Sequence, residues 1–431
     1  MGPKPPKGKP FVGNLPMPKE VARKPLRAAK GRAEVAPPQT LDLTANTNTA
    51  GKVVTNRNPY WSKDEQFILF DSNRANINGT DVATDGKYHI YRMRPDGSGV
   101  TALTGPLSSP IIRADTSQTE ATYNASSSAI IYIETAADGS VDLRELNINT
   151  GNDRSLLRDV NGNFNPGVPP FTGLNHPEYA FSVRDGIGAV FAGQTQGQPF
   201  HVYTVGLTTG STTSGAVDQL TFGIADDRNP TLSPDPNKPL VAFDSNRNDA
   251  HGATIKANRD VWAMGAGSDQ SQGYPAVQVT NFAANGVPSQ NIQPAWSTNK
   301  IDQPSGTQQI VRGQQLLAFA TTRFDSANDG NANSVDAQGR HEIYWLKVDI
   351  ARQGSTFTVT NPEGVNGNSA FKLVSSDPGN KYDDVHPTWP QFISTYRVAY
   401  QTNRKSYNTI TGISGPPTRA PRRRATSSRP P

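Results

Sequence analysis

The chain has 431 residues and a formal net charge of +5, and hydrophobic residues make up 34% of it. With 38 Gly and 35 Pro, this lean apolar content fits many short strands and long loops better than packed helices. There is no cysteine, which excludes disulfides, thiolate-bound metals and a cysteine nucleophile.

The basic charge is concentrated at the two ends of the chain. Residues 1–40 hold nine Lys or Arg against two Glu, and residues 405–431 hold six Lys or Arg and no acid, so the body between them has a net charge of −8. We therefore predict disordered, basic, Pro-rich tails over 1–40 and 414–431 around a folded domain over 41–413. The acidic body argues against a nucleic-acid partner.

No stretch approaches the roughly 18 apolar residues of a membrane span, so we predict no transmembrane segment. The opening MGPKPPKGKP is basic, as at the start of a signal peptide. Charged residues, among them Lys19, Glu20 and Arg23, interrupt the stretch where an apolar region would have to lie, so no signal peptide is visible.

A short pattern recurs along the chain: a polar residue, a Pro, one or two further residues, and an aromatic residue or Leu, usually followed by Ser. It predicts the first strand of a repeated unit, where a Pro is tolerated because a strand lining a central channel has one unpaired edge. The copies contain Pro59, Pro177, Pro230, Pro294 and Pro387. Three copies carry a Trp that we expect to be buried between neighbouring units, namely Trp61, Trp296 and Trp389.

An apolar second strand follows each copy, and in four units it ends in Arg: Arg74, Arg247, Arg323 and Arg404. Because this Arg recurs, we predict a structural role, bracing neighbouring blades through hydrogen bonds, with Asp71 and Asp244 as possible partners. A third element with an aromatic residue, such as HIYRM from His89, and a short closing element, such as TALT from Thr101, complete the unit.

One further unit, from Ala121, lacks the Pro, so six units begin near residues 58, 121, 176, 229, 293 and 386. Their β-branched and aromatic residues, punctuated by Gly, Asn, Asp and Pro, predict four short strands per unit. One such sheet buries both faces only against neighbours. The predicted fold is therefore all-β, a six-bladed β-propeller of four-stranded antiparallel blades.

The last unit lacks a fourth strand, whereas LDLT at residues 41–44 resembles the closing strand of the other units. We therefore predict that the N-terminal segment closes the ring by pairing with the last blade, which removes two open sheet edges.

The units resemble the TolB-type, WD-like propeller repeat, most closely from Pro59 to Thr104, and the resemblance covers roughly residues 41–413. It implies the propeller fold and a docking module of the periplasm or cell surface. It does not specify the ligand, because this repeat serves many functions.

A loop in the fifth unit follows a calcium-loop pattern with Gly330 at position six, although Ala327 occupies position three and the last ligand is not Glu. A weak Ca²⁺ site is one interpretation, and a solvated loop rich in Asx turns is the other. The candidate ligands, at positions one, five, seven, nine and twelve, are Asp325, Asp329, Asn331, Asn333 and Asp336.

His176 and His386 precede the first-strand Pro of units three and six, which face each other across a six-bladed ring. Some propeller lyases that act on acidic sugars hold a metal with histidines at this place. A metal-dependent polysaccharide lyase or hydrolase is therefore the alternative function, and ordinary histidines lining the channel are the competing interpretation.

We favour a non-catalytic, monomeric module that binds a protein or a glycan at one mouth of the propeller. The sequence contains no GxSxG elbow and no phosphate loop, and long polar insertions on a rigid scaffold suit binding. No cofactor is expected beyond the possible Ca²⁺.

Overall fold

A computed structural model of the chain describes residues 40–42, 54–62, 64–74, 86–105, 115–184, 187–207, 216–233, 240–266, 275–296, 311–324, 332–353, 356–360, 370–372, 383–389, 397–403 and 409–414. Regular structure in these segments is β-strand throughout. None of them forms a helix long and apolar enough to cross a membrane. The predicted all-β class is confirmed, whereas both predicted tails lie almost wholly outside the described residues.

Five antiparallel sheets are built from consecutive strands and form blades 1 to 5 of a β-propeller. Blade 1 comprises Asn56–Trp61, Ile68–Ser72, His89–Met93 and Thr101–Ala102. Blade 2 comprises Ser117–Tyr123, Ala129–Thr135, Val141–Asn147 and Asp153–Ser155. Blade 3 comprises Phe171–Arg184, Ile187–Thr195, Phe200–Val205 and Val217–Gln219. Blade 4 comprises Asp227–Leu232, Leu240–Arg247, Ile255–Gly265 and Val277–Gln278.

Blade 5 has the same first three strands and two outer ones. It comprises Asn291–Trp296, Val311–Thr321 and Glu342–Gln353, and the last of these pairs with both Thr356–Thr360 and Ala370–Lys372. Two small hairpins accompany it: Ala283–Ala284 with Val287–Pro288, and Arg323–Phe324 with Ser334–Val335. Neither hairpin was predicted from the sequence, and nor was the extra outer strand.

A further four-stranded sheet, called the terminal sheet, combines strands from both ends of the chain. Its order is Thr40–Asp42, Thr409–Ser414, Arg397–Thr402 and Asp384–Thr388. The propeller of four-stranded antiparallel blades is thus confirmed, and contiguous segments build five of the predicted six blades.

Apolar side chains form separate cores where adjacent sheets face each other. The three repeat tryptophans are 3–6% exposed and belong to these cores. Trp61 packs with blade 1 and with Ala399 of the terminal sheet, Trp296 packs between blades 4 and 5, and Trp389 packs between blade 5 and the terminal sheet. Since each sheet is covered on both faces by its neighbours, the blades stabilise one another.

The recurring arginines are buried inside their own blades, 0–4% exposed. Each guanidinium lies 4.8–5.2 Å from the ring centre of the Phe four residues earlier. Each also bonds to the first strand: Arg74 to Asn56 at 2.8 Å, Arg247 to Asp227 at 2.6 Å, and Arg323 to Asn291 at 3.2 Å. These bonds brace one blade internally, whereas the sequence suggested bonds to neighbours. Arg404 lies outside the described residues.

Candidate functional site: the central channel and the entry face

The first strand of each blade and Asp384–Thr388 of the terminal sheet line the central channel. One residue per sheet has a positive φ there, between 44° and 55°, and sits at a register shift of the ladder. We call this set the channel ring: Asn58, Glu120, His176, Asn229, Gln293 and His386. All except Glu120 directly precede one of the buried prolines that the sequence marked. Asn and His are among the side chains that tolerate a left-handed backbone, which fits them to such a β-bulge.

At each bulge the backbone N–H turns away from its own ladder and donates to a side chain of the preceding sheet. The acceptors are Gln401 for Asn58 (3.3 Å), Asp71 for Glu120 (3.0 Å), Glu120 for His176, Asn175 for Asn229 (2.7 Å), Asp244 for Gln293 (3.0 Å) and Gln293 for His386 (2.9 Å). The ring is therefore a continuous series of hydrogen bonds between neighbouring sheets.

The residue at one position of the second strand decides which side chain accepts this bond. Three sheets have a polar residue opposite the position before the bulge, and these residues are the acceptors: Asp71, Asp244 and Gln401. In the other three sheets the same position is apolar, at Ile133, Ala192 and Ala320, and a first-strand side chain accepts instead. Asp71 and Asp244 thus bind the channel ring, whereas the sequence suggested them as partners for the repeat arginines.

The two candidate histidines meet in the channel, as their positions in units three and six predicted. Their rings are stacked with centroids 6.5 Å apart. Gln293 holds His386 through both the backbone N–H and Nε2, at 2.9 Å each. Burial lowers the pKa of His176 to about 4, and burial together with the neighbouring His176 and Arg57 lowers the pKa of His386 to about 3. Both imidazoles are therefore neutral at pH 7.

The carboxyl groups around the histidines are shifted in the opposite direction. Burial raises the pKa of Asp71 to about 7, although Arg57 and the Asn58 amide oppose the change. Burial also raises the pKa of Glu120. Tyr60 hydrogen-bonds to Glu178, and burial and this carboxylate raise the pKa of its hydroxyl well above the usual value. Asn58, Tyr60 and Glu120 were not predicted as channel residues from the sequence.

The polar side chains leave little space in the channel. The cavity open to water-sized molecules is about 40 Å³, room for a few waters and too small for a sugar ring. No group of three His, Asp or Glu side chains with metal-binding geometry occurs within the described part of the chain.

The calcium-loop candidates are only partly described. Asp325, Asp329 and Asn331 lie outside the described residues, and Asn333 and Asp336 lie within them. Both carboxylate oxygens of Asp336 accept bonds from Arg340, at 2.8–3.0 Å. The contact with Arg340 helps to lower the pKa of Asp336 against the effect of burial. A Ca²⁺ ion would have to compete with this Arg, so the calcium loop stays a prediction with a weakened twelfth ligand.

Within the described residues, the exposed large apolar side chains lie on one face of the propeller, called the entry face. The entry face is the face at which each first strand begins, so it carries the connections from strand two to strand three and from strand four to the next blade. Across the described residues, the large apolar side chains that are at least half exposed are Val160, Ile224, Ile255 and Val287. All four belong to connections or strand starts on the entry face.

These features define a β-propeller with a narrow polar channel and with exposed aliphatic side chains on the described part of its entry face. No protein-family model and no curated protein matches the chain. Solved structures that resemble it include TolB from Acinetobacter baumannii (12% identity, 70% of this chain and 55% of that chain, TM-score 0.39) and a protein of unknown function from Dyadobacter fermentans (8%, 88% and 98%, 0.50). A third is an oligogalacturonate lyase in complex with manganese (11%, 88% and 93%, 0.39).

The chain thus resembles TolB-type propellers, as the sequence predicted, and it spans 55% of the length of the Acinetobacter TolB chain. At these identities the likeness concerns the fold alone.

Proposed function

We propose that the protein is a non-catalytic docking module that binds a partner on the outside of a closed propeller. The observation that carries the proposal is the channel ring. Its backbone N–H groups are committed to hydrogen bonds between sheets, and the space left between its side chains is about 40 Å³. The place where a substrate would reach the histidines is therefore filled, and binding is left to the outer loops. A periplasmic or cell-surface location is expected from the TolB-type resemblance alone.

We further propose that the terminal sheet is the sixth blade and that the N-terminal strand closes the ring. Three contacts support this. Thr40, Leu41 and Asp42 align with Ile413, Gly412 and Thr411 in antiparallel register. Ala399 of the terminal sheet packs into the core of blade 1, and the Asn58 amide of blade 1 donates to Gln401. If the ring were open, the residues that make these contacts would lie at open edges instead of against each other.

The alternative is a metal-dependent lyase or hydrolase, and the stacked His176 and His386 favour it, since neutral imidazoles are good ligands for transition metals. Elemental analysis of the purified chain distinguishes the two functions. We expect no stoichiometric transition metal and no cleavage of a polyuronate. His251, which is exposed on blade 4, supplies the control.

A metal present at one equivalent in the parent and in His251→Ala, but lost in His176→Ala, would overturn the docking proposal. Polyuronate cleavage lost in the same variant would identify the enzyme.

A further inference from the structure

The entry face of blade 4 combines exposed aliphatic and cationic side chains. Ile224 precedes the first strand and is 59% exposed, and Ile255 begins the third strand and is 50% exposed. Arg228, Lys256 and Arg259 belong to the starts of the same two strands. We call these five residues the blade 4 patch. Val287, 54% exposed, lies on the hairpin that follows blade 4.

The loops that carry the two isoleucines are fixed to each other. The Ile224 amide donates to the Gly252 carbonyl at 2.9 Å. Gly223 has a φ of 91°, and a Cβ there would lie 2.4 Å from the same oxygen, so only glycine allows this close approach. The Asp249 carboxylate accepts three backbone N–H groups within the turn. The patch is therefore rigid before any partner binds, which lowers the entropic cost of binding.

In three of the four ion pairs of the patch, the cation is the more exposed partner. Arg259 and Lys256 are each 19% exposed, and they pair at 2.6 Å and 2.5 Å with Asp244 and Asp260, which are 1–2% exposed. Arg228 is 43% exposed and stacks on Phe200, and its partner Asp226 is 24% exposed and also binds Arg259. Although the body of the chain is acidic, the starts of these two strands therefore carry partly exposed guanidinium and ammonium groups together with the exposed Ile224 and Ile255.

We propose that the blade 4 patch docks a protein surface that has an aliphatic centre and an acidic rim. Two exposed isoleucines would gain little from a sugar, which needs hydrogen-bonding groups and aromatic faces, and nothing from a polyanion alone. Exposed aliphatic side chains on the same strand ends as charged groups fit the core-and-rim organisation of protein interfaces. The partner class rests on the proposed docking function and adds to it the surface and its chemistry.

A display library of linear 12-residue peptides, panned on the full chain, tests the partner chemistry. We expect enrichment of peptides that combine Leu, Ile or Val with Asp and Glu. Synthetic copies of the enriched peptides should bind the parent, and binding should weaken at least tenfold in Ile255→Asp and in Arg228→Glu. Both sites are exposed, so both variants should keep the melting temperature of the parent.

Val160 provides the matched control, because it is an exposed aliphatic residue on the same face but follows blade 2. Val160→Asp should leave peptide affinity unchanged. Three outcomes would overturn the proposed role of the blade 4 patch: enrichment of basic or aromatic peptides, no enrichment, or an equal loss of peptide affinity in Val160→Asp. Polyuronate cleavage by a chain that still binds these peptides would instead refute the non-catalytic function and leave the patch standing.

Discussion

At the scale of single residues, the three described repeat arginines differ in the first-strand side chain to which they bond. Arg247 pairs with the carboxylate of Asp227, whereas Arg74 and Arg323 bond to the neutral amides of Asn56 and Asn291. Burial lowers the pKa of Arg74 to about 10, which still leaves it charged at pH 7. In blades 1 and 5, an amide oxygen and the nearby Phe thus help to accommodate the buried guanidinium.

This comparison predicts that Asp227→Asn is mild and Asp227→Ala is severe. Asn keeps an acceptor for Arg247, as in blades 1 and 5, so we expect a loss of about 1 kcal/mol. Ala leaves the buried guanidinium without that partner, and we expect about 3–5 kcal/mol. Urea denaturation of the three proteins measures both values, and equal losses in the two variants would contradict the comparison.

The stacked histidines predict a pH dependence of stability. Because the folded-state pKa values, about 4 and 3, lie below the unfolded value of about 6.5, the unfolded chain binds protons first as the pH falls. For His176 alone, the contribution is fully present above pH 6.5 and is lost towards pH 4, by an amount on the order of 2–3 kcal/mol. His176→Gln should therefore lose less stability than the parent between pH 7 and pH 4.

Asp71 acts in the opposite sense, because its raised pKa favours the folded state at low pH. It is present in both proteins, so the difference between their denaturation curves isolates the histidine. His251→Gln, at an exposed site, should follow the parent. If the free energy of unfolding falls equally with pH in the parent and in His176→Gln, His176 is not responsible for the loss of stability between pH 7 and pH 4.

At the scale of the element, the blade depends on glycine at one tight position after the fourth strand. Gly105 has a φ of 85°, and an added Cβ would lie 2.4 Å from the His89 ring. His89 in turn contacts Gln118 of blade 2 at 2.7 Å, so the ring cannot move without disturbing the next blade. Gly139 has nearly the same φ, 84°, but nothing lies within 4 Å of the added atom.

We therefore predict different costs for two identical substitutions. Gly139→Ala should cost about 1–2 kcal/mol, the penalty for the left-handed backbone alone. Gly105→Ala should cost at least about 3 kcal/mol, since the same penalty is joined by a clash in a packed site. Thermal unfolding of both variants measures the difference, and similar melting temperatures would refute the role of the His89 contact.

The blades were predictable from the sequence because their strands carry a repeated pattern. Pro59, Pro230 and Pro294 marked the first strands. The closing Thr of blades 1, 3 and 4 was visible too: Thr104, Thr221 and Thr280 each accept a backbone N–H of strand three, from Ile90, Val202 and Val261. The bulge was not predicted, since a positive φ leaves no direct motif in the sequence. The polar residue before each Pro could nevertheless have indicated a left-handed backbone position. The Asn285–Gly286 turn, both residues at positive φ, was a readable hairpin signal.

The candidate site was less predictable than the fold. The pairing of His176 with His386 followed from counting units, because opposite blades of a ring face each other. The filling of the channel did not, since it depends on side chains from different blades whose distances are set by packing. The exposed aliphatic residues could not be recognised from the sequence, because an isolated Ile in a polar loop has the same sequence context whether its side chain is covered or exposed.

At the scale of the whole molecule, the terminal sheet joins the two ends of the chain. Closure by the N-terminal strand predicts that two truncations differ sharply. Removing residues 1–37 deletes no described strand and should leave the melting temperature unchanged. Removing residues 1–46 deletes Thr40–Asp42 and exposes the edge of Thr409–Ser414, so the melting temperature should fall markedly. Identical melting curves would refute the closure.

The antiparallel register of the terminal sheet has a mechanical consequence. Thr40 aligns with Ile413, so the chain enters this strand pair and leaves it at the same end. A tension applied through residues 39 and 415 would therefore break the inter-strand hydrogen bonds one after another from that end, because these bonds lie perpendicular to the strands. Rupture should begin at this seam at low force. In single-molecule stretching we expect a first small extension from the release of the N-terminal strand, followed by unravelling of the remaining blades at higher force.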